Sequence, residues 1–125
     1  MKFLVVDDSV TMRRIIINAL ERIGYADALE ATDGEDALAK FDRSVGFIIT
    51  DWNMPKLSGL EFTRAVRARA DGQTVPILMV TTRGSREDIV LAVDAGVNNY
   101  ILKPFTPTVL KEKIDALLTT MGAAA

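Results

Sequence analysis

The chain has 125 residues, which suits one domain around a single core and leaves no room for a second. Hydrophobic residues make up 49% and charged residues 26%, and Lys+Arg 15 against Asp+Glu 17 gives a formal charge of -2, without the basic surplus of a nucleic-acid binder. Cysteine and histidine are both absent, which excludes disulfides, thiolate metal sites, cysteine nucleophiles, the Ser-His-Asp triad and the histidine zinc motifs.

The first predicted element is a strand over Lys2 to Val6, a short apolar run of the kind buried on both sheet faces. Met12, Ile15, Ile16, Ala19, Leu20 and Ile23 then recur at helical spacing and predict a first helix with these residues inward, stopped by Gly24. A strand at Leu29 to Ala31 precedes a second helix from Gly34 to Phe41, capped by Asp33, with Ala37, Leu38 and Phe41 facing in. Phe47 to Thr50 is the third strand. Ser58 with Glu61 forms a capping-box pattern for a third helix carrying Leu60, Ala65 and Val66.

The fourth strand is predicted at Ile77 to Thr81, and Ser85 with Asp88 opens a helix through Ile89, Ala92 and Val93 that Gly96 ends. Tyr100 to Leu102 is the fifth strand. Thr106 and Pro107 then start a last helix, with Val109, Leu110, Ile114, Leu117, Leu118 and Met121 inward. Strand followed by helix, five times, requires right-handed crossovers and therefore a doubly wound α/β fold, a five-stranded parallel sheet with five helices. The domain is expected to occupy 1–121, with 122–125 a disordered tail. No apolar stretch approaches the roughly 18 residues that cross a bilayer, and the start carries no signal-peptide profile, so no membrane partner and a cytoplasmic location are expected.

Parallel strands present their carboxyl ends on one edge, where open α/β sheets bind ligands. Asp7 and Asp8 directly follow the first strand and Asp51 directly follows the third, so three carboxylates converge there. Like charges held together raise one another's cost of ionising unless a cation intervenes, which calls for a hard divalent metal. The fourth and fifth strands end in Thr81 and Lys103, adding a hydroxyl and an ammonium to the same edge. Singly these residues read as capping, turn or strand-end polar groups; jointly they read as a site.

Together with Asp51-Trp52-Asn53-Met54-Pro55, these strand ends resemble the receiver domain of two-component response regulators across the whole chain. Phe3 to Asp8, Thr11 to Ile15, Leu78 to Thr81 and Lys103 to Thr106 resemble its stand-alone chemotaxis members. The resemblance implies a flavodoxin-like strand order 2-1-3-4-5 and a cis Lys103-Pro104 bond. It implies that Asp51 accepts a phosphoryl group from a phosphohistidine on a histidine kinase. Mg²⁺ would be held by Asp7, Asp8, Asp51 and the backbone carbonyl of Asn53, and phosphoryl oxygens by Lys103 and Thr81. Thr81 and Tyr100 would form the switch that alters the surface of the fourth helix, fifth strand and fifth helix.

The implied product is a monomeric binding switch rather than a turnover enzyme, acting on a flagellar motor switch protein, with a phosphatase as a further partner. The chain departs from the chemotaxis pattern at Arg83, which stands in place of an acidic residue, and at Gly84-Ser85-Arg86, which replaces a lysine-bearing stretch. Asn53 and Arg83 are therefore candidate modulators of the phosphoryl site, and Trp52, Arg86, Tyr100 and Lys111 candidate partner-surface residues. Trp52 also reads as plain packing, Tyr100 as strand filling, and Arg13 and Arg14 as a solvated face or a kinase-docking patch. A phosphorelay intermediate or phosphate sink is the alternative within signalling. A Mg²⁺-dependent aspartyl-phosphate phosphatase is disfavoured because Asn53 stands where its second aspartate would act as general acid. A flavin carrier is disfavoured because Asp7-Asp8 would repel a phosphate placed after the first strand.

Overall fold

Each apolar run of the sequence becomes a strand whose alternate residues point into two separate cores. In a computed structural model that describes residues 1–120, β1 (Lys2–Val6), β2 (Ala28–Ala31), β3 (Val45–Thr50), β4 (Ile77–Thr81) and β5 (Asn99–Leu102) pair in parallel in the order β2-β1-β3-β4-β5. The helices between them are α1 (Val10–Arg22), α2 (Gly34–Lys40), α3 (Gly59–Arg67), α4 (Arg86–Ala95) and α5 (Pro107–Thr120), with a 3₁₀ turn at Ala70–Gly72. The order and the five predicted strands and helices agree with the sequence reading. Met121 and the tail at 122–125 lie outside the described residues.

Leu4, Val6, Ile48, Ile77 and Met79 pack with Ala37, Phe41, Phe62, Val66 and Ala92 beneath α2, α3 and α4. Phe3, Val5, Phe47, Ile49, Leu78, Val80 and Ile101 face the other way, against Ile16, Ala19, Leu20, Leu110, Ile114 and Leu117 of α1 and α5. The two-residue period of a strand produces both layers from one sheet. The chain reverses its winding between β1 and β3, and the crevice this opens lies at their carboxyl ends.

The caps fall largely where the sequence places them. Asp33 accepts from the Asp36 amide at 2.8 Å, and the Ser58–Glu61 capping box closes with bonds of 3.2 and 3.1 Å. Ser85 accepts from the Asp88 amide at 3.1 Å and Thr106 from the Val109 amide at 3.2 Å. Gly24 and Gly96 take φ of 99° and 113°, the left-handed region that ends α1 and α4 without a Cβ penalty. A cap the sequence reading missed is Ser9, which accepts from the Met12 amide at 3.2 Å.

Three helices turn differently from expectation. In α1, Ile15 is 46% exposed while Arg13 is buried at 7%, because a 3.6-residue period through Ile16 and Leu20 passes through Arg13 as readily as through Met12. In α4 only Ala92 and Ala95 are buried, and Ile89 and Val93 face outward with Val90 and Leu91. The consecutive apolar run Ile89 to Val93 spreads round the helix and leaves no single stripe to orient it, and the smallest side chains allow the closest approach to the sheet. In α5, Val109 is exposed and Leu110, Ile114 and Leu117 form the buried stripe.

Candidate functional site

Register builds the site. Val6 of β1 lies opposite Thr50 of β3, so Asp7 and Asp51, each one residue further on, leave the sheet side by side. The Asp51 amide donates to the Val6 carbonyl at 2.9 Å and the Asp7 amide to the Ala31 carbonyl at 3.1 Å, fixing both backbones to their neighbouring strands. One carboxylate oxygen from each of Asp7, Asp8 and Asp51 lies within 4.8 Å of the others. Asp7 is only 1% exposed, Asp51 is half-buried and Asp8 faces solvent.

Lys103 reaches this cluster from β5. Its Nζ lies 3.2 Å from Asp7 Oδ2 and 3.4 Å from Asp51 Oδ2, and the bond to Pro104 is cis, as the resemblance implies. Asp51 Oδ1 accepts from the Trp52 amide at 2.7 Å, and Asp7 Oδ1 from the Ser9 amide at 2.9 Å. Burial pushes the Asp51 carboxyl above its ordinary value; the Lys103 ammonium pulls it down and the Asp7 carboxylate pushes it up again. A carboxylate held above its normal range wants a second positive neighbour. The donor set is all hard oxygen, without nitrogen or sulfur, and that chemistry fits a small divalent cation such as Mg²⁺.

Thr81 is buried at the end of β4, and its Oγ1 accepts from the Arg83 amide at 3.2 Å. Tyr100 is half-buried on β5, with its hydroxyl donating to the Arg83 carbonyl. Burial and the nearby Asp88 raise the Tyr100 pKa, which keeps the phenol protonated as that donor. The backbone of Arg83 thus joins the two expected switch residues. Its guanidinium lies over the Trp52 ring at 4.8 Å, donates to Asn53 Oδ1 at 3.2 and 3.1 Å, and pairs with Asp88 on α4 at 3.5 Å.

Asn53 and Arg83, expected as separate modulators, therefore form one bridge from the β3–α3 loop to the start of α4. Trp52 is a correction to the partner-surface reading: it is 5% exposed, packed in the core and covered by Arg83. Arg86 and Lys111 are exposed, and Lys111 Nζ lies 2.6 Å from Asp115 Oδ2. Arg13 is also corrected, since a buried side chain is neither a solvated face nor a docking patch; Arg14 is exposed.

Sequence reasoning missed two supports of the site. Gly59, the first residue of α3, approaches the Asp51 carbonyl so closely that a Cβ there would collide with it. The Ser58-Gly59 pair at a helix start was the available signal. Arg13 reaches the Asp7 main chain from α1, and nothing in the hydrophobic pattern marks it.

A response regulator receiver domain model matches residues 3–115. The chain is 52% identical to chemotaxis protein CheY1 of Helicobacter pylori over 96% of this chain and 98% of that one. It is 54% identical to a chemotaxis protein CheY homolog of Campylobacter jejuni over 96% of this chain and 94% of the relative. The solved structure of chemotaxis protein CheY4 from Vibrio cholerae matches with a TM-score of 0.88 at 37% identity, over 94% of this chain and 98% of that chain. No helix among the described residues is long and apolar enough to cross a membrane. Acidic strand ends gathered under one lysine are what such a domain is built around, and this chain belongs to the family of response regulator receiver domains as a CheY-like member.

Proposed function

We propose that Asp51 accepts a phosphoryl group from a phosphohistidine on a partner kinase, and that the protein is a cytoplasmic chemotaxis switch acting on a flagellar motor switch protein. The observation that carries this reading is the convergence of the Asp7, Asp8 and Asp51 carboxylates, with Lys103 Nζ 3.4 Å from Asp51. An Asp51 oxygen attacks phosphorus, the phosphorus–nitrogen bond breaks, and its electron pair returns to the imidazole. Asp7, Asp8, Asp51 and the Asn53 carbonyl would hold Mg²⁺, which when bound would supply the positive charge that lets two anionic groups meet.

Lys103 holds a phosphoryl oxygen, giving up part of its contact with Asp51. Thr81 already uses a lone pair on the Arg83 amide, which leaves its hydroxyl hydrogen to donate to a second phosphoryl oxygen. An inward movement of Thr81 to make that bond pulls on the Arg83 backbone, to which the Tyr100 hydroxyl is bonded, and so reaches the α4–β5–α5 surface. Ile89, Val90, Leu91 and Val93 of α4, Leu102 of β5 and Val109 of α5 are exposed there, an apolar contact for the downstream partner. A partner that prefers the phosphorylated form must in turn favour phosphorylation.

Trp52 fluorescence tests the site, because the ring lies under the Arg83 guanidinium and the residue's own amide donates to Asp51 Oδ1. Titration with Mg²⁺ and then a small phosphodonor is expected to change the emission in wild type, with the phosphodonor response lost in Asp51→Asn. A phosphodonor response that survives in Asp51→Asn would remove Asp51 as acceptor.

A further inference from the structure

Among the described residues Arg13 is the one buried lysine or arginine, at 7% exposure. Its Nη1 donates to the main-chain oxygen of Asp7 at 2.6 Å and its Nε to Glu30 Oε1 on β2 at 2.9 Å. Taking a guanidinium out of water is costly and pairing does not always repay it, so its placement calls for a reason beyond stability. Sheet and helix already satisfy the rest of this turn: the Asp7 amide bonds Ala31 at 3.1 Å, and Ser9 caps α1 through the Met12 amide at 3.2 Å. The oxygen Arg13 takes belongs to the peptide unit joining Asp7 to Asp8. The two Asp side chains hang from the two ends of that plane, so fixing it fixes the Cα atoms that carry them, while the Ser9 amide at 2.9 Å and Lys103 Nζ at 3.2 Å hold the Asp7 carboxylate itself.

We infer that Arg13 is a positioning residue for the cation site, holding the Asp7-Asp8 peptide from behind so that the two carboxylates suit a small octahedral ion and discriminate against a larger one. This rests on the metal reading above and deepens it. Mg²⁺ requires near-ideal octahedral geometry at about 2.0 to 2.1 Å, whereas Ca²⁺ accepts six to eight oxygens in adaptable arrangements. A rigid pair of carboxylates therefore favours Mg²⁺, and a loosened pair loses more affinity for Mg²⁺ than for Ca²⁺. Glu30 offsets the guanidinium charge, so the geometry is held without a net positive charge behind a site that must attract a cation.

Calorimetric titration of wild type, Arg13→Gln and Arg13→Lys with Mg²⁺ and separately with Ca²⁺, alongside urea unfolding without metal, tests the inference. The Mg²⁺ dissociation constant is expected to rise about tenfold in both variants, the usual scale for losing a group that orients a metal ligand. That for Ca²⁺ should rise less, moving the ratio toward Ca²⁺. Arg13→Lys keeps the charge and loses the fork; should Arg13→Gln fail to fold, it decides alone. Equal tightening of both ions would show a repelling charge, and unchanged constants with a lowered unfolding free energy would show a purely structural arginine; either overturns the inference. A wild type that binds neither ion would overturn the metal reading itself and the inference with it.

Discussion

At the scale of single residues, Asp51 has its charge in the least comfortable position. Folded Asp51 holds its proton more tightly than the unfolded chain does, chiefly through burial, so the metal-free folded state binds the extra proton. Its contribution to stability therefore falls as pH rises from the ordinary 3.8 through the raised folded value, and the full penalty is present above that. Asp51→Asn is expected to make the metal-free protein more stable at neutral pH and to give no gain near about pH 3, as read from urea unfolding at both pH values. Saturating Mg²⁺ should narrow the neutral-pH difference, because a ligand bound only by the folded state stabilises wild type selectively. Asp7, Asp8, Asp51, Thr81 and Lys103 were legible beforehand because each closes or directly follows an apolar run, and strand ends need no knowledge of tertiary contacts. Arg13 was not: a charged residue within a helix reads as solvent-facing until β2, which supplies Glu30, and the turn after β1, which supplies the Asp7 carbonyl, are placed beside it.

Among the elements, α3 shows how a helix start sets the position of the acceptor. Its capping box orients the first turn, and Gly59 lets that turn rest against the Asp51 carbonyl, with the Gly59 amide donating to the Trp52 carbonyl at 2.8 Å. Helix propensity alone says that Gly59→Ala should stabilise by about 1 kcal/mol. The collision says the opposite, a loss of about 1 to 3 kcal/mol typical of overpacking. The sign of the shift in the urea midpoint decides between them, and weakened Mg²⁺ binding is expected to accompany the loss as Asp51 is displaced. Helix existence and caps could be read from Ser58, Glu61, Ser85 and Gly96, since capping depends on neighbours in sequence. The faces of α1 and α4 could not, because several sets of apolar residues satisfied the same period.

For the whole molecule, the sheet separates a chemical pole from a mechanical one. At the pole opposite the carboxylates, Arg67 donates to the carbonyls of Gly72, Val75 and Gly96 and to Asn98 Oδ1, at 2.8 to 3.1 Å. It ties the end of α3 to the approaches of β4 and β5. The topology that sets these poles was legible from alternation of strand and helix and from the family resemblance. The Arg67 tie was not, since its partners are backbone oxygens distant in sequence.

The two small residues on which α4 rests also set when it comes apart. Burying Ala92 and Ala95 gives little, at about 0.8 kcal/mol per buried methylene, and the helix is otherwise attached through Arg83 to Asp88 at one end and Arg67 to Gly96 at the other. Its amides are therefore expected to exchange with deuterium through local opening, well before those of β1 and β3, which exchange only when the entire chain unfolds. Protection of α4 comparable with β1 and β3 would mean that it belongs to the same cooperative unit. The expected order makes α4 a separate foldon, able to rearrange its surface while the central strands remain protected.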